Sequence, residues 1–520
     1  MFGRNMSLPN DDELPLLFLK LSALFGLIWC AWIYFFKYQK GSPPGPVGLP
    51  LVGYLPFLKP ELHTHFACLA RTYGPILKLM LGSKVAIVIS SPSGAREVLK
   101  DQDATFANRD VHVAAVILTY GGSDIVSAPY GPKWRMLRRV CVLKMLSRPT
   151  LDSVYRLRRR EVRETVWYLR QHSGLPVNVG EQLFLTVYNV ITSMLWGGTV
   201  KGDERARLGA ELKNTVAELT ALVARPNISD FYPGLVRFDL QGIQKRVKVL
   251  AGQFDRIFDE VISQRLRIDR DGTGAGTEGG ESEKDFLQFL LELKDEEDAK
   301  TPLTLVGIKA LLINMIVNGT ETSSNTVEFI MAEMLNKPHI LRKAQQELDD
   351  VIGKDSIVEE SHISKLPYLQ AVMKESLRLH PPAPLLVPHC PSEDSLLGGF
   401  RVPKGSRVFV NVWAIHRDPT LWENPTEFDP DRFVNGGVDY SGNDFSYLPF
   451  GSGRRMCAGM AMAERMVMYS LTTLLHSFNW ELPKGEKLDL SEQFGIVLKK
   501  KLPLIAIPTP RLSDDLALYK

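Results

Sequence analysis

The chain has 520 residues, of which 45% are hydrophobic, and its formal charge at pH 7 is only +3. This composition can fill a large core, and the near-neutral charge excludes a basic nucleic-acid-binding surface as the basis of its function. The five cysteines, Cys30, Cys68, Cys141, Cys390 and Cys457, are far apart and form no C-x-x-C pair. That spacing excludes a zinc ribbon, argues against a disulfide framework and indicates a reducing compartment for the body of the chain.

The first predicted element is an apolar helix at residues 14–36, which follows a short tail at residues 1–13. Only Lys20 and Ser22 interrupt its apolar character. A helix of this length extends over about 34 Å, which is enough for a hydrocarbon layer roughly 30 Å thick. The alternative is a cleaved signal peptide, but the apolar run is too long and no small-x-small cleavage site follows it. We therefore predict an uncleaved transmembrane anchor with a lumenal N-terminal tail.

Residues 37–49 are predicted to form a basic, proline-rich hinge after the anchor. Lys37 and Lys40 follow the apolar helix at once, so the positive-inside rule places the rest of the chain in the cytosol. The run Pro43-Pro44-Gly45-Pro46 stiffens the chain and would set the orientation of the body on the bilayer. Anchor and hinge together predict a single-pass protein of the endoplasmic reticulum membrane.

One large domain is predicted at residues 50–510, followed by a C-terminal tail at residues 511–520. Short β-branched runs between residues 50 and 105 predict a small sheet. From about 130 to 380, apolar residues recur with the period of amphipathic helices, and residues 400–412 read as β structure again. The predicted fold class is therefore α+β, mainly helical with small β-sheets.

The segment Asn318-Gly319-Thr320-Glu321-Thr322-Ser323 is a polar cluster within an apolar helix predicted at residues 311–335. Polar side chains are unusual inside so apolar a helix, so they indicate a specific structural or functional role. Gly319 would let a small ligand approach the backbone, Thr322 could donate a hydrogen bond to dioxygen, and Glu321 could pass protons inward. The alternative is a helix kink that is capped by the threonines.

Glu375 and Arg378 are three residues apart in a predicted helix, so they share one face. Pairs of this kind are common on solvated surfaces and carry little information alone. The pair gains weight from a second arginine, Arg432, in the run Phe428-Asp429-Pro430-Asp431-Arg432-Phe433. A guanidinium offers a planar fork of donors to a carboxylate, which suits a buried network.

The most informative segment is the loop from Phe450 to Gly459, which contains Cys457. Its glycines allow the unusual backbone angles of a tight loop, and Phe450 can shield a sulfur from water. An apolar run at residues 461–475 predicts a buried helix whose positive end points at the thiolate. A buried free cysteine is the alternative, but it does not explain the flanking pattern.

These motifs, in this order, resemble those of the cytochrome P-450 superfamily of haem-thiolate monooxygenases, and in particular its microsomal plant members. The resemblance rests on three sequence patterns: Phe-x-x-Gly-x-Arg-x-Cys-x-Gly, Glu-x-x-Arg and a variant of Ala/Gly-Gly-x-Asp/Glu-Thr-Thr/Ser. The resemblance implies the P-450 fold and one haem b. It implies Cys457 as the axial ligand of the haem iron, Trp134, Arg138, His389, Phe450, Arg455 and Gly459 as haem-binding residues, Thr322 and Glu321 as catalytic residues, and Glu375, Arg378 and Arg432 as a structural network.

Two residues depart from the family's pattern. Asn318 stands where alanine or glycine is usual, and His389 stands where arginine is common. Asn318 would place a hydrogen-bonding amide above the haem. A histidine would bind a haem carboxylate less strongly than an arginine, and in a pH-dependent way.

The sequence carries no Rossmann or flavin fingerprint, so electrons must come from another protein. The resemblance implies an NADPH-dependent flavoprotein reductase, with cytochrome b5 as an additional donor. It also implies dioxygen and a small lipophilic molecule as substrates, contact with membrane lipid and no contact with nucleic acid.

The substrate is predicted from the residues that the resemblance places around the pocket, Val116, Asn318, Gly319, Leu385, Val387 and Ile496. Their mostly apolar character favours a terpenoid, such as a sesquiterpene, over the alternative of a flavonoid or related phenolic. Two other classes stay open: a reductase-independent haem-thiolate isomerase or dehydratase, against which Glu321 and Thr322 argue, and a non-catalytic haem-binding protein.

Overall fold

A computed structural model describes residues 14–37, 41–197, 200, 202–223, 225–270, 285–294, 302–434 and 436–512. The predicted tail at residues 1–13 lies outside the described residues, as does most of the one at 511–520. The helices of the described part are α1 (Leu14–Lys37), α2 (Leu62–Tyr73), α3 (Pro92–Arg96), α4 (Val113–Leu118), α5 (Pro132–Arg139), α6 (Arg148–Ser153), α7 (Tyr155–Gln171), α8 (Val179–Trp196), α9 (Gly202–Val223), α10 (Ile228–Phe231), α11 (Ile243–Arg270), α12 (Phe286–Lys294), α13 (Leu305–Asn336), α14 (Pro338–Ile352), α15 (Pro367–Leu379), α16 (Val412–Ile415), α17 (Asp431–Val434) and α18 (Met460–Ser477).

Short strands accompany these helices and form small sheets, as the sequence predicts. They are β1 (Ile76–Leu81), β2 (Lys84–Ile89), β3 (Asn108–Arg109), β4 (Val177–Asn178), β5 (His389–Cys390), β6 (Ser395–Leu397), β7 (Phe400–Val402), β8 (Arg407–Val410), β9 (Phe478–Glu481), β10 (Glu492–Gln493), β11 (Lys499–Lys500) and β12 (Ile505–Pro510). The predicted α+β class is therefore confirmed.

The largest sheet has the strand order β1-β2-β8-β5-β3. Strands β1 and β2 form an antiparallel hairpin in which Ile76 faces Ile89, and Gly82 turns the chain with φ +63°. A left-handed angle of this kind strains most residues but not glycine. Strand β8 then runs parallel to β2, while β5 pairs antiparallel with both β8 and β3. This order carries the short strands β5 and β3 to the edge of the central cavity.

Helix α13 runs through the middle of the molecule. The Thr304 side chain caps its first turn by accepting from Gly307 N at 3.1 Å. It packs most extensively on α8 and also touches α14, α15 and α18, and these helices share the main apolar core. Because neighbours hold α13 on several sides, its polar segment at residues 318–326 has a fixed orientation.

The predicted N-terminal helix is present as α1. Its apolar side chains are largely exposed, with Phe18 75% and Leu27 70% accessible. Within the described residues, no helix combines the length and the hydropathy that crossing a membrane requires.

Candidate functional site

The Cys457 loop is held by its own backbone and by its contact with a neighbouring segment. Cys457 N donates to Phe450 O at 3.0 Å, which closes the loop. Gly453 has φ +67°, and a Cβ on it would lie 1.9 Å from the Leu99 carbonyl oxygen. Only glycine allows both this angle and this close approach. The sequence-predicted helix follows directly as α18, which begins at Met460.

The Cys457 thiol lies deep among protein atoms, yet it is accessible because it opens onto a large cavity. Burial raises the pKa of the Cys457 thiol, while the Gly459 N–H and the charge of Arg138 act in the opposite direction. Without further positive charge the thiol is therefore neutral. A bound metal ion would supply that charge and favour the thiolate.

The cavity has a volume of about 310 Å³ accessible to the centre of a water molecule. The Cys457 loop and the start of α18 form one wall, and α13 forms the facing wall. Its lining includes Ile125, Val126, Leu311, Asn314, Met315, Asn318, Gly319, Thr322, Ser323, Leu386, Val387, Phe450, Cys457, Gly459, Met462 and Ile496. A flat group bound between these walls would meet the thiol on one face and α13 on the other.

Buried cationic side chains meet at one edge of the cavity. Burial lowers the pKa of Arg109 to about 9, with a further contribution from Arg455, and it lowers the pKa of Arg455 to about 10. Burial also lowers the pKa of Arg138. All three line the cavity. Buried cations without enough anions are costly, so this edge fits a ligand that carries carboxylates.

Arg109 is the residue at this edge that the sequence analysis missed. Its Nη1 donates to the carbonyl oxygens of Val387 and, at 3.2 Å, Pro388. Its Nε is buried without a hydrogen-bond partner in the described part of the chain. An orphaned donor beside the cavity supports an anionic ligand there.

His389 reaches the same edge because it pairs with Arg109 across β5 and β3. Its Nδ1 lies 2.8 Å from Phe106 O, which can only accept, so Nδ1 carries the proton. Burial, together with the charge of Arg109, places the pKa of His389 well below its usual value. The neutral ring then offers Nε2 as an acceptor, so a carboxylate at this edge would find its donors on the arginines.

Arg455 and Trp134 hydrogen-bond the backbone next to this edge of the cavity. Arg455 donates Nε to Ala107 O at 2.7 Å and Nη1 to Ile125 O at 3.0 Å. The Trp134 indole donates to the same Ile125 oxygen at 3.0 Å, and the Arg455 guanidinium lies 4.4 Å from the Trp134 ring centroid. Trp134 does not line the cavity, whereas Arg138, His389, Phe450, Arg455 and Gly459 do.

On α13, Asn318, Gly319 and Thr322 line the cavity. The Thr322 hydroxyl donates to the Asn318 carbonyl oxygen at 2.6 Å. A Cβ on Gly319 would lie 2.9 Å from Ile191 Cδ1, so this glycine lets α13 approach α8 closely. Within Leu305–Asn336 the helix is continuous.

Glu321 faces a second cavity of about 280 Å³, which is lined mainly by polar residues that include Glu328, Lys499 and Lys500. Burial raises the pKa of Glu321, while Lys499 and the Thr220 hydroxyl act against this. The predicted acid and the predicted hydroxyl thus belong to adjacent residues that line different cavities.

In the predicted structural network, both arginines donate hydrogen bonds to Glu375. Glu375 and Arg378 are fully buried and make two parallel hydrogen bonds of 2.7 and 2.8 Å. Arg432 Nε adds a bond to Glu375 at 3.1 Å. This network joins α15 to α17 and lies outside the cavity lining.

The predicted pocket residues divide into two groups. Asn318, Gly319, Val387 and Ile496 line the cavity. Leu385 is buried elsewhere, and Val116 is 38% exposed without lining the cavity. Leu386 lines it instead, with φ +49°.

A cysteine thiol that faces a long central helix across a cavity with arginines at one edge is the arrangement of a haem-thiolate protein. Residues 43–507 match the family model described as cytochrome P-450. The chain belongs to the cytochrome P-450 family, and the predicted monooxygenase class and haem-thiolate cofactor are confirmed.

Similar proteins support this family assignment over nearly the whole chain. A flavonoid 3'-monooxygenase from Crocosmia x crocosmiiflora is 40% identical and covers 94% of this chain and 97% of the relative. A flavonoid 3',5'-hydroxylase from Eustoma exaltatum subsp. russellianum is 40% identical, with coverages of 90% and 91%. A flavonoid 3'-monooxygenase from Arabidopsis thaliana is 39% identical, with coverages of 92% and 93%.

Among solved structures, a zebra fish cytochrome P-450 with progesterone has a TM-score of 0.74 and 28% identity. The match covers 86% of this chain and 99% of that one. This likeness confirms the predicted P-450 fold.

The comparisons also correct one prediction. Terpenoid oxidation was expected because the predicted pocket residues are mostly apolar. The relatives described above are named for flavonoids, which contradicts the terpenoid prediction. The apolar side chains misled because the faces of flavonoid rings are also apolar, so an apolar wall does not discriminate between the two classes.

Proposed function

We propose that this protein hydroxylates a flavonoid or a closely related phenolic molecule. The supporting observation is its identity of about 40%, over nine-tenths of the chain, with relatives that are named as flavonoid hydroxylases. The walls of the cavity suit such a substrate, because apolar side chains can contact the rings while a few polar groups orient them.

The haem, when bound, supplies the activation of dioxygen for insertion of one oxygen atom into the substrate. Cys457 Sγ would hold the iron from below, with the Gly459 N–H directed at the sulfur. Arg109 and Arg138 would donate to the haem carboxylates, and Arg455 would contribute its charge while its donors hold the surrounding backbone. Phe450 would shield the thiolate from water.

Thr322 and Glu321 would manage the protons that oxygen activation consumes. Thr322 lines the cavity, and its hydroxyl could exchange its bond to Asn318 O for one to a molecule bound in the cavity. Glu321 lines the neighbouring polar cavity. It could take up a proton from water there and pass it towards the Thr322 hydroxyl.

The electron donors we propose are an NADPH-dependent flavoprotein reductase and, as a second donor, cytochrome b5. We place the protein at the endoplasmic reticulum membrane with its catalytic domain in the cytosol. The exposed apolar side chains of α1 support this attachment, and so do exposed Leu51, Phe238 and Leu240 on the body. Removing residues 1–40 should then release the protein from microsomes into a high-salt wash, while the full chain stays bound.

The test of function is turnover in microsomes that contain the full chain and a reductase. With a flavanone and NADPH, we expect a product that has gained one oxygen atom. Cys457→Ser is the control, because serine keeps the size of the side chain and cannot supply a thiolate. A wild-type protein with a thiolate-type carbon monoxide spectrum but no flavonoid product would overturn the proposal. A product of unchanged mass that forms without reductase or NADPH would favour an isomerase.

A further inference from the structure

Asn318 carries an amide that faces the cavity and has no hydrogen-bond partner for its side chain within the described residues. The other amide on this wall, that of Asn314, is engaged on both atoms: it donates to Asp124 Oδ2 at 2.9 Å and accepts from Ile125 N at 3.2 Å. Of the neighbouring hydroxyls, Thr322 donates to a backbone carbonyl and Ser323 is only 4% exposed. Asn318 thus stands apart on the α13 wall as an accessible amide that is free to bind a ligand.

The orientation of this amide is fixed by packing. Gly319 faces α8, since a Cβ there would come within 2.9 Å of Ile191 Cδ1, and α14, α15 and α18 contact α13 on its other sides. The Asn318 carbonyl is held by the Thr322 hydroxyl at 2.6 Å. Rotation of α13 is therefore restricted, and the Asn318 side chain stays on the cavity side, next to the predicted site of oxygen activation.

The chemistry of an amide restricts the ligand. A substrate that fills the cavity excludes water, and an amide left without a hydrogen-bond partner then weakens binding. A hydrocarbon cannot satisfy it, whereas a hydroxyl or carbonyl oxygen can, because an amide both donates and accepts. The partner must also lie close to the reacting carbon, since Asn318 is one helical turn from Thr322.

We propose that Asn318 is a specificity-determining residue that hydrogen-bonds a hydroxyl on the aromatic ring of the substrate that is oxidised. This deepens the proposed function and rests on it. The amide would draw the ring carbon next to that hydroxyl towards the oxidising centre and would disfavour rings that lack the hydroxyl. A site built around such a bond discriminates strongly against the analogue without it.

The experiment measures binding to the ferric haem protein by the shift of its absorption spectrum. It compares a flavanone that has one hydroxyl on the ring to be oxidised with the same flavanone lacking it. We expect the wild type to bind the hydroxylated compound about tenfold more tightly. Asn318→Leu, which keeps the size of the side chain, should reduce this preference to less than about twofold.

Met315→Leu is the matched control, because Met315 lines the same wall and has no amide. It should keep the tenfold preference. Asn318→Ala gives a second test if the leucine variant does not retain haem. An unchanged preference in the Asn318 variants would overturn the assignment. An equal loss of affinity for both compounds would also overturn it, because the side chain would then contribute to binding without recognising the hydroxyl. A wild type that binds neither flavanone would overturn the flavonoid proposal together with this one.

Discussion

Glu321 and Thr322 are neighbours in the sequence, but they line different cavities: Thr322 faces the cavity of the Cys457 thiol, and Glu321 faces the polar cavity beside Lys499. Successive residues of a helix point about 100° apart, so the adjacent residues Glu321 and Thr322 can face two different spaces beside α13. A carboxylic acid in contact with the apolar cavity would be poorly hydrated there. In the proposed mechanism, its position on the polar side would let it exchange protons with water, while Thr322 would act in the cavity of the Cys457 thiol.

Replacing Thr322 tests the oxygen side of this arrangement. Thr322→Val keeps the shape and removes the hydroxyl, so we expect product per NADPH to fall at least about tenfold, with hydrogen peroxide released instead. Thr326→Val is the matched control, because Thr326 makes the same type of bond, to Thr322 O at 2.7 Å, one turn further on. Measured product, peroxide and NADPH decide the outcome. Unchanged coupling in Thr322→Val would contradict the role.

Replacing Glu321 tests the proton side through its pH dependence. Burial raises the pKa of Glu321, so its acid form persists to a higher pH than that of a free glutamic acid. We expect product per NADPH to decline as the pH rises through this raised pKa. Lys499, Lys500 and Glu328 share the cavity and would modulate the midpoint.

Glu321→Gln should lower the coupling at all pH values and abolish this decline. Glu328→Gln provides the comparison, since Glu328 lines the same polar cavity but accepts from Leu504 N at 2.8 Å and is two turns further from Thr322. It should keep the pH-dependent decline. A decline that persists in Glu321→Gln would assign it to another group.

The sequence allowed the prediction of features that depend on neighbouring residues. The Cys457 loop is one, because its glycines and the following apolar helix lie within a short stretch. The Glu375–Arg378 pair is another, since helix geometry alone brings residues three apart together. The need for glycine at position 453 could also be predicted from the local sequence. The Leu99 carbonyl oxygen, which a Cβ at this position would contact, could not be predicted.

Other features depend on long-range packing and were not predictable. Arg109 reaches the cavity only because a two-residue strand pairs it with His389. Leu386 lines the cavity in place of the predicted Leu385. The left-handed φ of Leu386, +49°, changes which of the two side chains faces the cavity, and the sequence does not reveal this angle. The separation of Glu321 from Thr322 requires the segment around Lys499, whose position no local pattern specifies.

Glu375 carries a stability prediction. Glu375→Gln leaves Arg378 fully buried without a full counter-charge, and loss of one partner of such a pair costs about 3–5 kcal/mol. We expect a lower free energy of unfolding in denaturant titrations and little haem-containing protein. Asp431→Asn is the control, because the pair of Asp431 with Lys343 at 2.6 Å is exposed. It should change stability little. Equal effects of the two substitutions would contradict this prediction.

His380 predicts a pH dependence of stability. Its Nδ1 lies 2.7 Å from Glu492 Oε1 and its Nε2 lies 2.8 Å from Glu333 Oε1. Burial alone would lower the pKa of His380, but the two carboxylates outweigh this and raise the pKa above 6.5. The protonated ring is therefore favoured by folding. Its contribution is fully present below the unfolded value of about 6.5 and is lost as the pH rises through the higher folded value.

The measurement is the free energy of unfolding as a function of pH. In the wild type it should decline above about pH 6.5, and His380→Gln should be less stable and should lack this decline. His339→Gln, at an exposed position of α14, should behave as the wild type. A decline of equal size in His380→Gln would refute the assignment to His380.

Arg109 carries the last prediction, which concerns retention of the haem. Its unpaired Nε and its lowered pKa, about 9, both fit a largely buried cation that has no carboxylate partner among the described residues. If haem carboxylates supply that anion, Arg109→Met should weaken haem binding and speed its transfer to apomyoglobin roughly tenfold, the effect of about 1.4 kcal/mol.

Arg454→Met is the control, because Arg454 belongs to the same loop as Cys457 but is half exposed and paired with Asp103 at 3.0 Å. It should leave the transfer rate unchanged. Should Arg109→Met retain haem as firmly as the wild type, Arg138 and Arg455 would have to account for the carboxylates alone. The buried charge of Arg109 would then destabilise the fold, and no contact with the haem would offset this. The methionine variant should therefore unfold at a higher denaturant concentration than the wild type.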